Sequence, residues 1–326
     1  MPRLASLASL ALVATFLAGV TPAAAQLWPE RTVRLIVPFP AGGPTDLIAR
    51  VIAQAMAEQI GQSVIIDNRG GAGGVTGTDI VAKAAPDGHT LALTSAGALA
   101  IAPALQRMPY RPTQDLKPVS LIAKAPELLI IPASVPATNL TEFIALAKAQ
   151  PGKLNYGSTG LGSMSHLSSE LFKTMAGLDI VHVPYSGAAP AINDILPGRT
   201  QMMFSDMQIP LPHVQSGTLR ALGVGSLKRV AQIPDVPTLA EQGLSGFEAE
   251  NWYGIVAPAA TPAPIIARLQ ATLIKVMRSP EVLKALSGAG AVLIGNTPEE
   301  FTAYIESETV KWGAVVRSSG GAKLAD

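Results

Sequence analysis

Two separate series of short β-branched runs, each alternating with helix-spaced apolar residues, constrain this chain more than any other feature. Such alternation predicts parallel strands covered by helices, and a second series in mid-chain is more than one compact sheet easily absorbs. The first series predicts strands at 32–37, 63–67 and 90–94, with helices at 44–60 and 75–85. Pro44 opens the first helix, Leu47, Ile48, Val51, Ile52, Ala55, Met56 and Ile60 carry its period, and Gly61 stops it. Five prolines, at 103, 109, 112, 118 and 126, mark residues 103–126 as a passage between units.

The second series predicts strands at 127–131, 153–157, 180–183, 200–205 and 219–224. Between them lie a helix capped by Asn139 with Glu142 in the capping-box position, a Gly/Ser loop and helix over 157–177, and a helix at 188–196. Beyond residue 233 come one strand signal, 253–257, and two longer helices, near 264–278 and 298–317. The economical arrangement is an α/β protein of two lobes, residues 26–122 with 225–326 forming lobe 1 and 123–224 forming lobe 2. Each lobe is expected to be a mostly parallel sheet flanked by helices, with a ligand cleft at the hinge.

Arg3, the apolar run at 4–20 and Ala23-Ala24-Ala25 read as an export signal cleaved after Ala25, with a membrane anchor as the weaker alternative. Cleavage would leave 301 of the 326 residues and remove Arg3 from 24 basic residues, balancing 23 against 23 acidic ones. That balance argues against nucleic acid or an anionic membrane surface as partner, because phosphate-rich surfaces need clustered Lys and Arg. The chain has no cysteine, which removes disulfides, thiolate nucleophiles and Cys-bound metals and suits an oxidising periplasm.

Three loops precede helices where chemistry could sit. In an open parallel sheet, ligands lie beyond the carboxyl ends of the strands, where a helix start offers unpaired N–H groups and a positive dipole end. Gly42 and Gly43 let backbone approach a ligand and Pro44 sets the first turn; an ordinary βα turn is the plain alternative. The loop 68–77 is glycine-rich but has Thr76 where a dinucleotide fingerprint needs glycine, so it is a packing crossing or a cleft border. The loop Gly157 to His166 contains Ser158, Thr159 and Gly160, whose hydroxyls and N–H groups suit a carboxylate. Gly42 and Ser158 are thus expected to face one another across the cleft. His166 reads as a local hydrogen-bonding residue. Tyr185 either covers a ligand or fills the lobe surface, and Asp206 either caps the following helix, the favoured reading, or accepts an ammonium group.

Catalytic signatures are consistently missing. Gly243-Leu244-Ser245-Gly246-Phe247 fails the nucleophile-elbow pattern at its last position, and Gly152-Lys153 is followed by Leu154 rather than a Walker hydroxyl. The four histidines, 89, 166, 182 and 213, have no local metal spacing. The expectation is no catalytic residue, no metal and no cofactor.

An ordered set of motifs resembles the Bug family of periplasmic solute receptors, the binding components associated with tripartite tricarboxylate transporters. These are Pro38-Phe39-Pro40-Ala41-Gly42-Gly43-Pro44-Thr45-Asp46, Asn68-Arg69 with Gly71-Ala72-Gly73-Gly74, Pro86-Asp87-Gly88, Asn155-Tyr156-Gly157-Ser158, Val183-Pro184-Tyr185 with Gly187, and Trp252-Tyr253-Gly254 with Ala257-Pro258. The resemblance spans the chain beyond the signal and implies a periplasmic-binding-protein clamshell holding a carboxylate through loop N–H groups, hydroxyls and waters. It carries over as ligand-binding Ala41, Gly42, Gly43 and Asp46, Ser95 and Ala96, Ser158, Thr159 and Gly160, and Tyr185 with Gly187; Asp206 joins them as a candidate.

Three positions depart from the family pattern: Gly70 for proline, His89 for an aromatic, and Ser205-Asp206 where an acidic residue usually follows Phe directly. The expected function is a periplasmic receptor, acting as a monomer, that delivers a small organic carboxylate to transporter membrane subunits. A ligand-occupancy sensor for a membrane signalling protein is the alternative, and an enzyme on the same fold a weaker one. Which acid is bound is not written in loops that bind through backbone.

Overall fold

The computed structural model describes residues 28–320; the export signal expected at 1–25 and its expected cleavage site lie outside the described residues. Strand β1 (Val33–Val37) pairs in parallel with β2 (Val64–Asn68) on one side and β3 (Thr90–Ser95) on the other. Along β1 and β3 the side chains alternate between two cores: Leu35, Val37, Leu91 and Leu93 face one, Ile36 and Ala92 the other. Helices α1 (Pro44–Ile60) and α8 (Ala263–Met277) cover the first of these faces, while α2 (Val75–Ala82) and the π-helical turn Gly97–Ile101 contribute to the second. A sheet buried on both faces explains why its strands read as near-continuous apolar runs.

Strand β4 (Leu116–Pro132) is the spine of the molecule. Its first part, to Pro126, pairs antiparallel with β9 (Glu250–Pro258), itself paired with β3; its last part, Glu127–Pro132, pairs antiparallel with β7 (Met202–Asp206) and β8 (Leu219–Val224). One strand therefore serves two sheets, and the division expected after residue 122 lies inside it. The second sheet continues from β7 to β5 (Asn155–Ser158) and β6 (Val181–Pro184), all parallel. Helices α5 (Met164–Ala176) and α6 (Ala188–Ile195) follow β5 and β6 in the chain. The strand order 2-1-3 in the first sheet and 6-5-7 in the second is the same topology twice.

The segment 103–126 is corrected: it is not merely a passage, because the short helix α3 (Ala102–Leu105) begins it and β4 takes it over from Leu116. Pro118 and Pro126 sit within β4, and the register with β9 shifts between Pro118 and Ser120 and between Leu121 and Ala123. Proline cannot donate to a ladder and is tolerated beside such irregularities. Sequence reading also missed α9 (Pro280–Gly288) and the two-residue β10 (Val292–Leu293). Asn139 caps α4 (Leu140–Ala149) as expected, but Glu142 returns to the N–H and hydroxyl of Thr138, one residue earlier than a capping box requires.

Helix α10 (Pro298–Ser318) begins with a complete capping box at Thr297 and Glu300 and runs behind β4, from α3 to α5. Glu308 anchors it to β9, accepting hydrogen bonds from the indole N–H groups of Trp252, at 3.0 Å, and of Trp312 in α10 itself, at 2.9 Å. No helix among the described residues is long and apolar enough to cross a membrane.

Candidate functional site

Repeating the topology places equivalent loops of the two sheets opposite one another. The loop after β1 leads into α1 and the loop after β5 into α5; β3 ends at Ser95 and β7 at Asp206; the loop after β6 leads into α6. All five strand ends meet at one cavity of about 20 Å³, room for about one water molecule. Its walls are the first residues of three helices, namely Gly43, Pro44 and Thr45 of α1, Ser163 and Met164 of α5, and Gly187 and Ala188 of α6. Thr159, Ser95, Asp206 and Asn251 complete it, with Phe39 and Pro40 above. Phe39, Pro40 and Thr159 also border a wider groove of about 620 Å³, whose other walls include Asn68, the glycines 70–74, Gly160 and Tyr185.

A helix leaves its first N–H groups without acceptors, and α1 and α6 have no side-chain cap to take them. At α5 the Ser163 hydroxyl receives the His166 N–H at 3.4 Å and itself donates to the Gly160 carbonyl at 2.6 Å. Each helix start carries roughly half a positive charge. Three of them around one small cavity, with no Lys or Arg in its lining, create a site for an anion held by backbone dipoles.

The side chains singled out by sequence divide into lining and supporting groups. Asp46, buried, does not reach the cavity: its carboxylate accepts the Gly42 N–H at 3.0 Å, the Arg50 guanidinium at 2.8 Å and the Asn68 amide at 3.0 Å. Burial pushes this carboxyl up, but the hydrogen bonds of Arg50, Gly42 and Asn68, with the charge of Arg50, outweigh it and hold it below its ordinary value. Ala41 and Gly42 are exposed at the turn, and Ala96 is packed in the core beneath Ser95.

Ser158 is also sealed. Its hydroxyl pairs with His182 Nε2 at 2.7 Å and receives the Gly160 N–H at 3.2 Å. The expected confrontation of Gly42 with Ser158 is therefore corrected: their polar groups are spent inside their own loops, and Gly43 and Thr45 face Thr159 and Ser163 instead. Beneath Ser158 the rings of Tyr156, His182 and His166 stack, with centroids 4.8 and 4.2 Å apart. Burial, then neighbouring positive groups, lowers the histidines to about 3 for His182 and about 4 for His166, so both are neutral at neutral pH.

Tyr185 lines the outer groove and donates its hydroxyl to Asp194 at 2.9 Å; burial and then that carboxylate push it up to about 12. Asp206 is corrected from a helix cap: α7 (Leu211–Gln215) has Pro210 at its N-cap and no side-chain cap, while Asp206 is 6% exposed and accepts from Asn251 at 3.2 Å. Sequence reading missed Thr45, Ser163 and Asn251 as lining residues. The first two lay within quoted motifs, whereas Asn251 adjoins Trp252 and had only that adjacency to signal it. Among the described residues no group of three His, Asp or Glu side chains is arranged to hold a metal.

A family profile described as "Tripartite tricarboxylate transporter family receptor" matches residues 48–320. The chain belongs to this family. BugT of Bordetella pertussis is 39% identical over 320 residues, 97% of this chain and 98% of that protein. Two solved structures, both from Rhodopseudomonas palustris, superpose closely. One, determined with adipate, is 38% identical with a TM-score of 0.87 and covers 90% of this chain and 98% of its own. The other, MatC with bound malate, is 35% identical with a TM-score of 0.85, covering 89% and 100%. Family membership accounts for the duplicated sheet topology, and the two-lobe solute-binding fold is the one found here.

Proposed function

We propose that this receptor captures a small organic carboxylate between its two lobes in the periplasm and presents it to the membrane subunits of a tripartite tricarboxylate-type transporter. The convergence of three uncapped or self-capped helix starts on one cation-free cavity carries this reading. The relatives solved with adipate and malate support testing dicarboxylates first. Gly43, Thr45, Thr159, Ser163, Gly187 and Asp206 would touch the ligand. Asp46, Ser158 and Gly160 act as positioning residues that hold the loops, and Ser95 and Tyr185 border the site.

The chain crosses between the lobes where the partners of β4 change, at Pro126–Glu127, four residues beyond the boundary expected after 122, and again near Gly225. One chain supplies both walls, so capture needs no second copy. The chain is exported with its signal peptide cleaved after Ala25, and no catalytic step is assigned to the site. Thermal unfolding with adipate, malate, citrate, aromatic acids and amino acids tests the reading. A saturable stabilisation approaching about 2.7 kcal/mol at a hundredfold excess over Kd is expected for the true ligand; a flat response to every carboxylate overturns it.

A further inference from the structure

Asp206, which lines the cavity, has a second buried carboxyl group as its register partner on the neighbouring strand. Glu127 of β4 and Asp206 of β7 are register partners, 1% and 6% exposed. Partners in register project to the same face of a sheet. Neither carboxyl has a Lys or Arg partner among the described residues. Both Glu127 oxygens and Asp206 Oδ1 lack any hydrogen-bond partner, and Asp206 lines the cavity. The surrounding groups are few. From β9 come Tyr253 and Asn251, whose amide bridges the Tyr253 hydroxyl at 3.0 Å and Asp206 Oδ2. From α1 comes Asp46, turned away to Arg50. The remaining neighbours are the starts of α1, α5 and α6.

Two adjacent carboxylates in a water-poor site cannot both be ionised. An ionised Asp206 would also repel a ligand carboxylate drawn in by the helix starts, whereas a protonated one offers it an O–H donor. We propose that Asp206 grips the ligand carboxylate as a neutral acid, backed by Glu127, so that closing the site on a carboxylate takes up one proton from solvent. This rests on the carboxylate-receptor reading above. Burial, then the charge of Asp206, raises Glu127 well above its ordinary value, and burial raises Asp206 to about 6 against the lowering hydrogen bonds of Tyr253 and Asn251. At neutral pH the free site therefore holds Glu127 protonated and Asp206 largely ionised, and the arriving anion drives Asp206 to its acid form.

Titration calorimetry with adipate and malate, in buffers of different ionisation enthalpy near pH 7.5, counts the proton directly. Uptake approaching one proton is expected, with Kd tightening by up to about tenfold per pH unit as pH falls toward 6 and levelling below it. Asp206→Asn keeps a donor without the charge. It should bind with no proton uptake and no pH slope, and about tenfold or more tighter than the wild type near pH 8. Binding without proton uptake by the wild type overturns the inference alone and leaves the receptor reading standing. Binding confined to aspartate or glutamate, weakening at low pH and lost in Asp206→Asn, makes Asp206 an ammonium acceptor and also overturns it. Absence of binding by every carboxylate overturns the receptor reading and this inference with it. The wild-type proton count decides the matter should the variant fail to fold.

Discussion

Asp46 braces the loop before α1 without lining the cavity. Its carboxylate locks the Gly42 N–H, Arg50 and Asn68 together and so fixes the angle at which α1 opens toward the cavity. Asp46→Asn should lower stability by about 1–2 kcal/mol at neutral pH, since a buried charge-assisted set is broken. The sign with pH follows from its depressed pKa: the contribution is present above the unfolded value of 3.8 and lost as pH falls through the lower folded value. Melting curves of the two proteins should therefore converge in acid, and a difference that persists there would contradict this role. Ser163→Ala removes both a cap and the bond to Gly160; a loss of about 1 kcal/mol is expected, with weaker carboxylate binding in the same calorimetric assay.

At the scale of elements, the aromatic stack beneath the β5–α5 loop gives that loop a dry, neutral foundation. His166 and His182 accept protons near 6.5 when unfolded, but only near about 4 and about 3 when folded. Between these values the unfolded chain binds more protons, so stability falls as pH drops from about 6.5. His182→Gln should flatten this part of the melting-temperature profile, and an unchanged slope would show that other groups set it. Ligand affinity is expected to move the opposite way across part of the same window, which separates the acid response of the lobe from that of the site.

Across the molecule, the loop after β2 meets the loop after β5, at Gly73 and Leu161. The Gly73 φ of 63° lies in the left-handed region, and a Cβ there would stand 2.6 Å from the Leu161 carbonyl oxygen. Gly73→Ala thus penalises this contact between the lobes, apart from the loop's own left-handed strain, and should weaken ligand binding by about tenfold, the change that about 1.4 kcal/mol produces. Small-angle scattering with and without ligand would show whether compaction is impaired. Helix α10 contacts β4, α3 and α5, and on the proposed division of the lobes their motion is expected to pivot near Pro126–Glu127 and Gly225.

Most elements were legible because burial on two faces imposes apolar runs on strands and a 3.6-residue period on helices, and Pro44 and Gly61 bounded α1 by local backbone chemistry alone. The sequence by itself determined two αβ series, their loops at the strand ends and a helix start at Gly43. It could not reveal β4 as one strand, since proline signals a break unless a neighbouring strand accommodates it. Only the tertiary structure decided that α6 adds a third dipole, that Ser158 is consumed by His182, and that Glu127 meets Asp206 while Asn251 reaches the same carboxylate. Those pairings join residues tens of positions apart, and proximity across strands leaves no trace in local periodicity.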